Sequence, residues 1–210
     1  MSDPIAEPAR RGPYAKGVAK REQILREALI AYAESDSSGP SLRSIAARVG
    51  LSERGLLHYF PSRDELFVAI LAERDVADRG IVDVASTLDD LAAVQAHSSQ
   101  TPGLVRLFLE MAAAAPDPAS AAHDFFTTRY RVLRGLLERM LLQASETGDG
   151  DAAFAARMLI AASDGLQVQW LLDPSIDMRD DLRRLGELLQ TSSSPSSPSR
   201  ASGTDHSQKS

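Results

Sequence analysis

Apolar residues along this chain recur at intervals of three and four and nowhere alternate with period two, so the sequence predicts an all-α protein. The first element is residues 19–35 (AKREQILREALIAYAES), where Ile24, Ala28, Ala31 and Tyr32 make one stripe with Leu25 and Leu29 beside it. A second follows Ser41, a favoured N-cap, with Leu42, Ile45, Ala46 and Val49 on one face. Gly50 stands where a helix commonly ends in the left-handed conformation. Leu51 fills the turn, and Ser52 caps a third helix, residues 53–59, that brings Leu56 and Phe60 inward before Pro61 stops it. A fourth covers residues 63–79, with Asp64 and Glu65 in the first turn and Leu66, Ile70 and Leu71 turned inward.

Five more helices are expected. They cover residues 87–95, 103–115 (closed by Pro116 and Pro118), 118–147, 152–172 (stopped by Asp173-Pro174) and 178–190, about nine in all. The 118–147 helix places Phe126, Tyr130, Leu133, Leu137 and Leu141 on one face. Residues 1–15 are polar and rich in proline and arginine, and read either as an inert leader or as a basic arm through Arg10, Arg11 and Lys16. Residues 191–210 (TSSSPSSPSRASGTDHSQKS) are of low complexity and read as a solvated tail.

Helix, glycine turn, helix over residues 41–60 is the pattern of a helix-turn-helix, although plain helical hairpins share it. The runs SLRSIA (41–46), VGLS (49–52) and LLHYFPSR (56–63) resemble the DNA-binding domain of the tetracycline-repressor (TetR) family. ALIAYAE (28–34) is similar to that family's first helix, and the likeness covers residues 19–75. Beyond it, Asp164-Gly165-Leu166 and Leu171-Leu172-Asp173-Pro174 are similar to a segment of many members. The resemblance implies an N-terminal three-helix domain (residues 16–62) followed by a helical ligand-binding and dimerisation domain (63–190). It further implies a homodimer that represses transcription from a palindromic operator and leaves DNA when a small molecule binds.

The 53–59 helix is expected to enter the major groove, where Arg54 can make the paired hydrogen bonds to guanine that are the commonest specific contact. Glu53 can accept from a cytosine amine or simply favour a helix start, and Gly55 can admit close backbone approach. Arg43 can reach a base or a phosphate, the resemblance implies a hydroxyl or helix-end amide contact at Ser41, and Ser52 at the start of the groove helix is a further candidate. The resemblance makes Tyr59 and Arg63 phosphate contacts. Leu57 stands where the family usually has tyrosine, exchanging a phosphate-binding hydroxyl for an apolar contact to a thymine methyl. His58 is expected to be a partly packed structural residue.

Charge fits this division. The net charge is −6, yet residues 10–63 hold ten basic and five acidic side chains, so the cations gather at the expected DNA-binding end. With no cysteine, neither a disulfide framework nor a zinc-thiolate finger is available. The N-terminal residues lack the apolar core of a signal peptide, and no run approaches a membrane span, so a cytoplasmic, nucleoid-associated protein is expected. The four histidines form no pair at metal-ligand spacing, and no phosphate-binding glycine loop or nucleophile elbow occurs. No enzyme activity, metal or cofactor is expected.

An effector pocket is expected among the later helices, with Phe108, Met111, Phe126, Tyr130, Gln167 and Trp170 as candidates, because pockets join apolar walls to a few polar groups. For each of them an ordinary core position is the alternative. The pairing surface is expected on the last two helices, at Ala155, Ala156, Leu159, Ile160 and Ser163 and at Leu182, Leu185, Leu188 and Leu189. A constitutive architectural DNA-binding protein and a helical interaction module are the rival readings.

Overall fold

The computed structural model describes residues 13–35, 38–82, 87, 90, 93, 101–144 and 149–192. Eight helices occur among these residues: α1 (Pro13–Ala33), α2 (Leu42–Arg48), α3 (Glu53–Leu56), α4 (Arg63–Val82), α5 (Pro102–Ala114), α6 (His123–Ala144), α7 (Asp149–Leu172) and α8 (Met178–Ser192). None is long and apolar enough to cross a membrane. The helix expected at 87–95 falls, apart from three residues, outside the described chain, as do most of the N-terminal arm and the tail.

Of the boundaries that differ from expectation, three have a clear local reason. α1 begins six residues early, at a proline whose fixed φ and missing N–H suit a helix start. α3 stops at Leu56, one turn long, and the chain then tightens as the Tyr59 amide bonds the Leu56 carbonyl at 3.1 Å. Pro61 disfavours helical backbone in the residue before it, so the third helix cannot run up to it. α6 starts at His123 rather than near Pro118. There the Asp117 carboxylate accepts from the Ala119 amide at 2.9 Å and the His123 ring meets the Ala115 carbonyl at 2.9 Å, holding residues 115–122 as a turn.

One apolar cluster joins the N-terminal helices to the body. Ile24, Leu25, Ala28 and Tyr32 of α1 pack with Ile45, Leu56 and Phe60 and with Leu66, Phe67, Ile70 and Leu71 of α4. The same cluster continues into Leu104, Leu107, Phe108 and Met111 of α5 and Phe126 of α6. Tyr32 is buried within it; burial pushes its phenol up to about 12, with Glu110 adding and Arg63 opposing. A second cluster lies between α6, α7 and α8, built from Leu137, Leu141, Ala152, Ala155, Ala156 and Leu159, with Leu185 and Leu189 against it.

That second cluster corrects the expected pairing surface. Ala155, Ala156 and Leu159 are buried inside their own protomer, and Ile160, Leu185 and Leu189 pack on them, because α6 and α8 cover that face of α7. Leu182 is buried as well, and of the named leucines Leu188 is the exposed one. The opposite face of α7 exposes Phe154, Met158, Val168 and Leu172, with Ala161 also exposed between them.

Candidate functional site

Two serine caps and one glycine shape the first site. Ser41 has extended backbone and its hydroxyl accepts from the Ser44 amide at 3.1 Å, while the Ser44 hydroxyl donates to the Ser41 carbonyl at 2.8 Å. α2 closes at Gly50, whose φ is +68°. The Gly50 amide donates to Ala47 at 3.1 Å and the Leu51 amide to Ala46 at 2.9 Å, the paired bonds of a Schellman ending. Ser52 then repeats the cap, accepting from the Gly55 amide at 3.1 Å. Leu56, fully buried, anchors the single turn of α3, so Glu53 and Arg54 project into solvent from its first turn.

Several nearby cations are already engaged within the protomer. The Lys20 ammonium donates to the Val49 carbonyl at 2.7 Å. Arg48 pairs with Glu34 and lies 3.8 Å from Glu27. Arg21 stacks 4.8 Å from the centre of the Phe60 ring, and Arg63 sits 4.7 Å from that of Phe67. Arg43 and Arg54 differ. Both are exposed, neither makes an ion pair among the described residues, and with Ala47, Leu51, Ser52 and Glu53 they line one shallow depression between α2 and α3. Two free guanidiniums, exposed hydroxyls and helix-start amides gathered at one surface suit a polyanion with readable base edges.

The other candidates surround this edge. Leu57 and His58 are exposed, and the His58 ring meets Tyr59 edge-on with centroids 5.8 Å apart. His58 is thus more open than the sequence suggests, because α3 ends before it. Tyr59 is half-buried against the core. A Cβ on Gly55 would touch Ser52 Oγ at 3.4 Å and Leu51 at 3.6 Å, ordinary contacts, so this turn does not itself demand glycine. Ala47 and Leu51 were missed as lining residues, since the apolar pattern assigns them only to a helix and a turn.

Of the expected pocket residues, Phe108, Met111 and Phe126 are buried in the main cluster and half-buried Tyr130 packs against it. Phe108 and Phe126 lie 5.1 Å apart and Phe126 and Tyr130 5.9 Å apart, centre to centre. Gln167 is 7% exposed and Trp170 is half-buried one turn further along α7. Sequence reasoning missed the polar groups beside them. The Tyr130 hydroxyl donates to Asp164 at 2.6 Å, and Arg129 pairs with Asp75 of α4. Burial raises the pKa of Asp164, opposed by the Tyr130 bond and by Arg129; burial and Asp164 raise that of Tyr130.

Comparison with known proteins bears on the same residues. Residues 24–70 match the family model described as bacterial regulatory proteins, tetR family. The chain is 34% identical over 109 residues to the HTH-type transcriptional regulator RutR of Escherichia coli (strain K12), covering 47% of this chain and about half the length of that relative. It is 29% identical over 180 residues to the HTH-type transcriptional regulator PksA of Bacillus subtilis (strain 168), covering 79% of this chain and 85% of that one. In fold it is similar to a TetR transcription regulator from Haloarcula marismortui, with a TM-score of 0.64 at 19% identity over 84% of this chain and 98% of the other. The matched segment contains α2, α3, both serine caps and the Gly50 turn, so the likeness to the TetR family of bacterial regulatory proteins lies in the capped helix pair.

Proposed function

We propose that this protein is a sequence-specific DNA-binding transcriptional regulator that reads the major groove with the start of α3. The observation that carries this reading is the pair of exposed, uncommitted guanidiniums, Arg43 and Arg54, on the edge formed by the two capped helices. The first residues of the second helix are those that reach base edges in a helix-turn-helix, and Glu53 and Arg54 occupy that place. Ser41, Ser44 and Ser52 serve as backbone contacts, and Tyr59 and Arg63 flank them. Repression, and release by a small molecule, are what the likeness to the TetR family implies.

The regulator acts as a dimer, because one helix-turn-helix spans only a short half-site and a twofold pair reads a palindrome. The exposed stripe on α7 supports this. Phe154, Met158, Val168 and Leu172 are 50%, 36%, 46% and 82% exposed and, with Ala161 and Gly165, follow one another at intervals of three and four. A Cβ on Gly165 would meet nothing within 4 Å, leaving room for a partner helix to come close.

Selection of bound sequences from a random duplex pool, at a stated salt concentration, tests the reading. Enrichment of a palindrome by the native chain and its loss in Arg54→Ala are expected; one good guanine contact is worth about 1–3 kcal/mol. Binding without an enriched sequence would replace it with an architectural role, and no binding at moderate salt with an interaction module.

A further inference from the structure

We infer that the junction of α4, α5 and α6 is a carboxylate-binding site, in which Arg129 gives up Asp75 for the carboxylate of an effector with an aromatic or aliphatic body. The inference rests on the proposed regulator reading and adds the chemical class of its ligand.

The geometry begins with a divided carboxylate. Oδ1 of Asp75 takes the Arg74 guanidinium at 3.0 Å and Oδ2 takes that of Arg129. Both guanidiniums also lie over the Phe108 ring, 5.4 Å and 5.2 Å from its centre. Nε of Arg129 is buried without a hydrogen-bond partner, so this guanidinium holds donor capacity that the protomer leaves unused. Phe126 and half-buried Tyr130 continue the run of rings beside it, apolar groups against which a ligand body would have to pack. On the facing helix α7, Asp164 bonds Tyr130, and Gln167 lies one turn along the same face. Gln167 is 93% buried (7% exposed).

Charge selects the class. An entering carboxylate replaces one ion pair with another, and Asp75 keeps Arg74, so no buried charge is left alone. A neutral ligand taking Arg129 would break the pair without replacing it, and a cation would face two guanidiniums. Asp164, the other acid near Arg129, already accepts from Tyr130. The exchange has a mechanical result. Asp75 belongs to α4, whose Leu66 and Phe67 share a core with Ile24, Ile45 and Leu56, so moving Arg129 from Asp75 to the ligand removes the ion pair that links α4 to α6 and leaves their apolar contact.

The test measures binding and DNA affinity separately. Benzoate, phenylacetate and octanoate, each beside its amide, are titrated into the full chain and followed by melting temperature and by the fluorescence of Trp170, the single tryptophan. At least one carboxylate is expected to bind and raise the melting temperature while its amide does not. Arg129→Gln should weaken that binding tenfold or more. Asp75→Asn, which removes the internal competitor and keeps Arg129, should tighten it about fivefold, the scale of a partly exposed ion pair. Absence of carboxylate binding to both native chain and Asp75→Asn, or undiminished binding by a folded Arg129→Gln, overturns the site. Should Arg129→Gln not fold, Asp75→Asn decides, and affinity no tighter than native overturns it. Carboxylate binding that leaves affinity for the selected duplex unchanged overturns the ligand-released reading instead. Failure to bind any duplex strikes the regulator reading alone.

Discussion

The Lys20 ammonium donates to the Val49 carbonyl at 2.7 Å and to Gln23 Oε1 at 3.1 Å, fastening α1 to the end of α2. A cation at a helix C-terminus satisfies a carbonyl that the helix leaves open and opposes the helix dipole. Lys20 therefore stabilises the fold rather than binding phosphate. Lys20→Met is expected to lower stability by about 1–2 kcal/mol in denaturant melts. The salt dependence of DNA affinity should not change, since no phosphate contact is lost. A shallower salt slope with unchanged stability would put Lys20 on the DNA instead.

Gly39 and Gly50 have nearly the same backbone angle, φ +70° and +68°, in different surroundings. A Cβ on Gly50 meets nothing within 4 Å, so Gly50→Ala carries only the left-handed backbone cost, about 1–2 kcal/mol. On Gly39 a Cβ would lie 2.8 Å from Cε1 of the buried Tyr32 ring. Gly39→Ala should therefore lower the melting temperature more than Gly50→Ala. Equal losses would mean that the Tyr32 ring shifts without cost.

The two faces of α7 should respond oppositely to charge. Phe154→Glu combined with Val168→Glu is expected to leave a folded monomer with weakened operator binding, read by sedimentation and by a DNA-binding titration. Ala156→Glu, placing an unpaired carboxylate in a filled core, should prevent folding. A double variant that still sediments as a dimer would remove the exposed stripe from the pairing surface.

Asp164 gives a pH signature. Burial raises its pKa, so over the window between its ordinary and raised values the folded chain holds a proton that the unfolded chain has released. Its favourable contribution is complete below the ordinary carboxylate range and is lost as pH rises through the raised value. Asp164→Asn should therefore melt higher than the native chain at neutral pH, and the gap should close on acidification. A gap independent of pH would mean that Asp164 is ionised throughout at no cost to the fold.

What the sequence revealed follows from the reach of each interaction. The caps at Ser41 and Ser52 and the turn at Gly50 involve bonds spanning three to five residues, and all were legible. The one-turn length of α3 was less so, because Pro61 acts on the residue before it and does not say how far back the helix retreats. Ala155, Ala156 and Leu159 form an apolar stripe that looks the same whether it meets its own domain or a partner. Only the positions of α6 and α8 decide, and those are set by residues distant in sequence. The pairs Asp75–Arg129 and Tyr130–Asp164 are 54 and 34 residues apart and belong to no local pattern.

The apolar cluster that runs from Ile24 through Leu66 and Ile70 to Phe108 and Phe126 also governs how such a protein can be recombined. A cut after Pro61 passes through packed side chains, stripping Ile24, Ile45 and Leu56 of the residues that keep water from them. The reading head is accordingly not a bead on a string. A graft of the two capped helices onto a foreign domain has to carry α4 along and meet an α5 surface shaped like this one, so side chains are altered in place more readily than halves are exchanged.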